Sequence, residues 1–316
     1  MRRRRRRRAS ALQVLVRTGY VLSALLLGNP QPTHPNLAAQ AAAPAREGEY
    51  LGGEACLHCH DIRDAFAKNP HYKNWAEEKL AWSERGCEPC HGPGSEHGHS
   101  GGDPKKILNP RTAGPARIND TCLTCHQQQE ERAHYLRSSH GLNAVACTTC
   151  HTIHTPRIKP SLLAARPPAL CYTCHEEVRA DFNQPFRHKV NEGWMSCTDC
   201  HNPHGGFAPH ETRESTGPEA VCFDCHADKQ GPFVFEHLPV RVEGCGICHD
   251  VHGSTNPRML KRSEIRFLCL ECHADTPGVF GPTTPLFHDI TQARWQHCTD
   301  CHVNIHGSQV SRVFFE

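Results

Sequence analysis

The motif Cys-x-x-Cys-His occurs ten times in 316 residues and accounts for all 20 cysteines of the chain. Two thiols separated by two residues can form thioethers with the two vinyl groups of a haem, while the histidine that follows reaches the iron. The motif therefore predicts ten covalently bound haems c. Their thioether cysteines are Cys56 and Cys59, Cys87 and Cys90, Cys122 and Cys125, Cys147 and Cys150, Cys171 and Cys174, Cys197 and Cys200, Cys222 and Cys225, Cys245 and Cys248, Cys269 and Cys272, and Cys298 and Cys301. The proximal iron ligands are His60, His91, His126, His151, His175, His201, His226, His249, His273 and His302. Paired cysteine knuckles also build tetrahedral zinc sites, and cysteine-rich exported chains form disulfide frameworks. Neither needs a histidine directly after every second cysteine.

The first fifty residues differ in kind from the rest. Residues 2–8 are an unbroken arginine run, 14–28 are mostly apolar and 38–45 are small. That order is the signature of a secretory signal peptide, expected to span residues 1–41 with cleavage near Ala41 to Ala43. The apolar stretch is shorter than the roughly 20 residues of a spanning helix, and Arg17 interrupts it. Export agrees with the motifs, because haem is attached outside the cytoplasmic membrane. The signal also explains the apparent basicity. Residues 1–41 hold eight arginines and no acid, so a formal balance of 35 Lys and Arg against 33 Asp and Glu becomes 27 against 33. Haem propionates add further negative charge, which argues against a nucleic-acid partner.

Residues 42–316, about 275 in all, would serve ten haems with 24 glycines and 24 prolines in the whole chain. An ordinary side-chain core cannot form from so little, so porphyrin faces must replace it. Folding then becomes part of cofactor binding, as in small metallodomains. The expected fold is a multihaem c-type cytochrome, mostly irregular with short α-helices, a haem-dominated core, almost no β structure and an elongated succession of modules. Residues 42–55 read as a linker and 56–316 as the cytochrome domain. Helix-forming residues at 61–68, 127–137 and 176–182 predict helices after haem motifs, and the Gly- and Pro-rich stretches 92–104 and 278–285 predict loops.

The ten motifs sort into five pairs, giving modules that begin near residues 56, 122, 171, 222 and 269. In each module a lone histidine lies between the two motifs and another trails the second. These are His71 and His97, His140 and His154, His188 and His204, His237 and His252, and His288 and His306. They supply one candidate distal ligand per iron. Six histidines remain, His34, His58, His99, His134, His210 and His297, of which His99 is an alternative to His97 and His134 to His140. Three residues past a proximal histidine the chain is still on that haem's own face. The trailing histidine is therefore expected to serve the first haem of its module, and the lone histidine the second.

Bis-histidine iron has no open coordination position, which suits electron transfer and disfavours catalysis. Beyond Met1 only Met195 and Met259 exist, so methionine ligation cannot be general. No phosphate-binding glycine loop or nucleotide motif occurs.

The chain resembles the decahaem outer-membrane conduit cytochromes, the MtrA/MtoA/PioA group with its DmsE-like relatives. The likeness is carried by ten haem motifs in a chain of this size, by Cys87-Glu-Pro-Cys-His-Gly-Pro-Gly-Ser-Glu-His97, and by Phe186-Arg-His-Lys-Val followed by Cys197-Thr-Asp-Cys-His-Asn-Pro-His204-Gly. It covers roughly residues 50–310. The resemblance implies a periplasmic cytochrome, without a membrane span of its own, that sits inside an outer-membrane β-barrel porin. Such a protein passes electrons between periplasmic cytochromes and extracellular iron, other metals or surface multihaem cytochromes. Two other readings use the same haems: a soluble periplasmic shuttle to a terminal reductase, and a multihaem oxyanion reductase. The reductase reading requires an iron with an open position.

Overall fold

A computed structural model describes residues 48–315 apart from 130–131, 133, 156, 159, 214–219, 274–287, 289 and 291. The expected signal segment, with His34, and the expected loop 278–285 lie outside the described residues. The described part belongs to one compact unit, Arg46–Glu316.

Every haem motif closes as a single helical turn. The N–H of the motif histidine donates to the carbonyl of the first cysteine at 2.9–3.0 Å in nine copies; in the tenth, the turn is the end of the helix Pro115–His126. A turn of this kind sets residues three and four apart on one face, so both thiols and the imidazole project to the same side. Few helices extend beyond this nucleus, because glycine and proline keep interrupting and short isolated helices are marginal.

Helices do form at Arg63–Phe66 and Glu176–Asp181, within the first and third stretches predicted. The second expectation is displaced: the twelve-residue helix Pro115–His126 precedes residue 127 and carries the motif at its C-terminal end. Pro115 at its first turn supplies a preset φ where no N–H is needed, whereas the polar run that follows yields, among the described residues, the turn Tyr135–Arg137. Stretch 92–104 also differs from a plain loop, since Ser95–His99 forms a helical turn. Its anchor is Glu88, which is 2% exposed. The Glu88 carboxylate accepts from the N–H groups of Leu51, Gly52 and Gly94, each at 2.9 Å.

Sheet structure is limited, among the described residues, to two antiparallel pairings of two residues each. Phe186–Arg187 pairs with Gly253–Ser254 and Phe235–Glu236 with Gly307–Ser308. Each links the segment just before a lone histidine to the segment just after the next module's trailing histidine. Buried apolar side chains are few and scattered through the modules, among them Ile118, Leu123, Tyr135, Leu162, Phe182 and Phe223.

A second repeat accompanies the haem motifs. After the second motif of modules two, three and four the chain turns at Pro160–Leu162, Pro209–Glu211 and Pro257–Met259. It then bridges back antiparallel to the motif histidine, pairing His151 with Leu163, His201 with Thr212 and His249 with Leu260.

Candidate haem sites

The imidazole rings of the ten motif histidines are each matched by one further histidine ring. The pairs are His60 with His97, His91 with His154, His126 with His71, His151 with His204 and His175 with His140. The remaining five are His201 with His252, His226 with His188, His249 with His306, His273 with His237 and His302 with His288. Ring centroids are 5.8 to 6.3 Å apart throughout. Metal–nitrogen distances of about 2 Å on both sides, with roughly 1 Å from each nitrogen to its ring centre, give a separation of about 6 Å. Among the described residues no group of three or more His, Cys, Asp or Glu could hold a metal ion by itself. The gap between the rings therefore suits an ion that brings its own four equatorial donors, as haem iron does.

The pairing departs from the expected exchange within modules. Only the ends keep it, at His60 with His97 and at His302 with His288. At the other eight pairs the partner comes from an adjacent module. The first motif of a module faces the lone histidine of the module before it, and the second motif faces the trailing histidine of the module after it. For modules three and four the physical reason lies in the strand pairings, which set His188 beside His252 and His237 beside His306. Terminal modules lack one neighbour, so each closes one pair on itself.

Hydrogen bonds fix the ring orientations. His140 donates Nδ1–H to the Pro203 carbonyl at 2.8 Å and His188 to that of Val251 at 2.7 Å. His237 is bonded likewise to the backbone of Ile305. In each case the acceptor immediately precedes the next module's trailing histidine. His71 differs: its Nδ1–H goes to Asn69 Oδ1 at 2.9 Å, and the Asn69 amide in turn donates to the Ile153 carbonyl. The second-motif histidines donate to a downstream carbonyl, His91 to Leu108, His151 to Ser161, His201 to His210, His249 to Arg258 and His302 to Val313, at 2.6–3.0 Å. A donating Nδ1–H fixes the tautomer and turns the Nε2 lone pair toward the gap between the rings. Burial holds His71, His154, His237 and His252 below the usual histidine range. It pushes His306 down to about 4, with Lys229 and His249 adding to the effect. Neutral imidazole is the form that donates to a metal.

The carbonyl-bearing turns escaped the sequence reading. Ser161, His210 and Arg258 present these carbonyls from the left-handed region, at φ of 60°, 56° and 59°. The signal that could have found them is a proline eight or nine residues after His151, His201 and His249. His210 thus contributes its backbone. The other surplus histidines in the described part stand aside: His99 is exposed, His134 packs edge-on against Phe207 at 4.3 Å, the Nδ1 of His58 lies 3.1 Å from the Glu54 carbonyl, and His297 accepts from the Asp300 N–H.

The thiols complete the geometry. Within modules Cys56 hydrogen-bonds Cys87, Cys122 bonds Cys147 and Cys171 bonds Cys197. Across modules Cys90 lies within electrostatic reach of Cys122, Cys150 of Cys174, Cys200 of Cys222 and Cys248 of Cys272. Successive attachment edges therefore adjoin along the chain.

Comparison with known proteins finds multihaem cytochromes. The doubled CXXCH motif family matches residues 140–180, 188–231 and 237–278, and the cytochrome c554 and c-prime family matches 100–152. The multiheme cytochrome MtrA of Shewanella baltica is 32% identical over 275 residues, covering 83% of this chain and 80% of that protein. The cytochrome c-type protein NrfB of Escherichia coli is 25% identical over 126 residues, covering 34% of this chain and 65% of that protein. An undecaheme cytochrome from the S-layer of Carboxydothermus ferrireducens aligns over 38% of this chain and 32% of its own, at 20% identity and a TM-score of 0.26. Sequence, site geometry and relatives converge: the chain belongs to the MtrA family of multihaem c-type cytochromes, which are electron carriers and not enzymes.

Proposed function

We propose that this chain is exported, loses its signal segment near Ala41 to Ala43, binds ten haems c and conducts electrons across the outer membrane from inside a β-barrel porin. It would exchange electrons with periplasmic cytochromes on one side and with extracellular iron, other metals or surface multihaem cytochromes on the other. The observation that carries the reading is the set of ten facing histidine pairs, joined from one end of the chain to the other. The two imidazoles of each pair would hold an iron between them, which would leave substrate no place to bind. Bound haem supplies reversible one-electron chemistry. The polypeptide orients the imidazoles through backbone carbonyls and spaces the attachment edges.

The porin part of the reading rests on likeness to the conduit cytochromes. Among the described residues no helix is long and apolar enough to cross a membrane. Irregular backbone facing hydrocarbon would leave its polar groups unsatisfied, whereas a wide barrel lumen is polar and wet. Vesicles enclosing an oxidised dye test this. The cytochrome, purified from outer membranes together with a heat-modifiable barrel, should let external dithionite reduce the dye, and the cytochrome alone should not. A cytochrome that purifies without a barrel and gives no transmembrane reduction is the soluble shuttle instead.

A further inference from the structure

One of the ten pairs stands apart. The rings of His71 and His126 cross at 84°, whereas the other nine pairs lie between 13° and 58°. Both rings are held by side-chain amides. Asn69, 3% exposed, takes the Nδ1–H of His71 at 2.9 Å and the backbone N–H of the same residue at 2.8 Å. Gln129 Oε1 accepts from His126 Nδ1 at 2.9 Å and also from the Arg132 guanidinium. At His175, the corresponding first-motif histidine of the next module, the group near Nδ1 is a carboxylate: Glu177 lies 3.5 Å away.

Ring orientation decides which iron orbital each imidazole loads. Two parallel rings act on the same member of the iron dπ pair and split it. A low-spin ferric ion, with one hole in that set, gains from the splitting; a ferrous ion, with the set full, does not. Crossed rings load both orbitals alike and remove that ferric advantage. Charge works in the same direction. A carboxylate on Nδ1–H makes the imidazole a stronger donor and favours ferric iron, while a neutral amide shared with a guanidinium makes it a weaker one.

We propose that the haem attached at Cys122 and Cys125, between His71 and His126, has the highest potential in the chain, with Asn69 and Gln129 as its positioning residues. It therefore holds the first electron. A neighbouring ferrous haem gives up one electron and becomes ferric, and the iron between His71 and His126 becomes ferrous; no proton or bond is exchanged. The proposal rests on reading the facing histidines as axial ligands.

Potentiometric reduction of the full-length haem-loaded protein, followed by electron paramagnetic resonance, tests it. One ferric low-spin species, about a tenth of the total spin by this assignment, should show a largest g value well above the rest and should vanish first. Gln129→Glu should move that species later in the titration. Gln129→Ala should replace it with an ordinary rhombic signal and abolish the early step. The idea is overturned if the first haem reduced is rhombic in the unaltered protein, or if Gln129→Glu leaves the order of reduction unchanged. Failure of the axial-ligand reading shows differently, as a high-spin ferric signal before any reductant is added.

Discussion

His188 donates its Nδ1 hydrogen to the carbonyl of Val251, 63 residues further on and one before His252. The same separation joins His140 to Pro203. The lone histidine of one module and the trailing histidine of the next are thus steadied by a single contact, although the two rings face different motif histidines. Each module is incomplete without its neighbours, and the expectations below draw on that interdependence.

Removing one internal module should leave every remaining histidine paired. Deletion of residues 171–221 brings His140 to His226 and His151 to His252, because the lone and trailing positions recur in every module. The product should carry eight haems by pyridine haemochrome assay, with no high-spin iron. Replacing a single partner histidine instead, as in His252→Ala, should leave the haem attached at Cys197 and Cys200 with an open coordination position.

Gly253 follows His252, and a Cβ there would lie 2.1 Å from the Asp181 carbonyl. Gly253→Ala must push the strand pairing apart, at a cost of about 1–3 kcal/mol for overpacking. His252 should then withdraw from His201, giving a high-spin, carbon-monoxide-binding haem. Gly114→Ala, where nothing lies within 4 Å, should leave the spectrum unchanged.

Arg258 holds φ at 59° and presents its carbonyl to His249. Arg258→Gly should be tolerated, since glycine adopts this region freely. Arg258→Val should lower the melting temperature followed by Soret circular dichroism, because β-branching makes the left-handed conformation costlier than it already is for arginine.

Glu88 is an acceptor only, satisfied by three backbone N–H groups. Glu88→Gln turns one oxygen into a donor facing another donor, at a cost of about 1–3 kcal/mol for the unsatisfied buried group. Hydrogen exchange should speed up at Leu51, Gly52 and Gly94, while the haem absorption bands keep their positions.

Much of this architecture could be read from spacing. The motifs grouped into five modules, and the ten additional histidines singled out by their positions are the ones that face motif histidines at about 6 Å. Which faces which could not be read, because exchange within modules and exchange between them use the same intervals. Only the end conditions, His97 beside His60 and His288 beside His302, distinguish the two schemes. Helix positions were legible where charged residues follow a motif, as at Glu176–Asp181, and misplaced where Pro115 started a helix upstream of its haem motif. The roles of Ser161, Arg258 and Glu88 were hidden because they depend on backbone angles and on partners distant in sequence.

The interleaved pairing also has a mechanical side. Each of the four boundaries between modules is crossed by two histidines reaching in opposite directions, for example His188 toward His226 and His252 toward His201. With iron seated between the rings, a pull along the chain would load coordination bonds before it reached the sparse apolar contacts. Tensile strength would thus reside in the same atoms that carry the current.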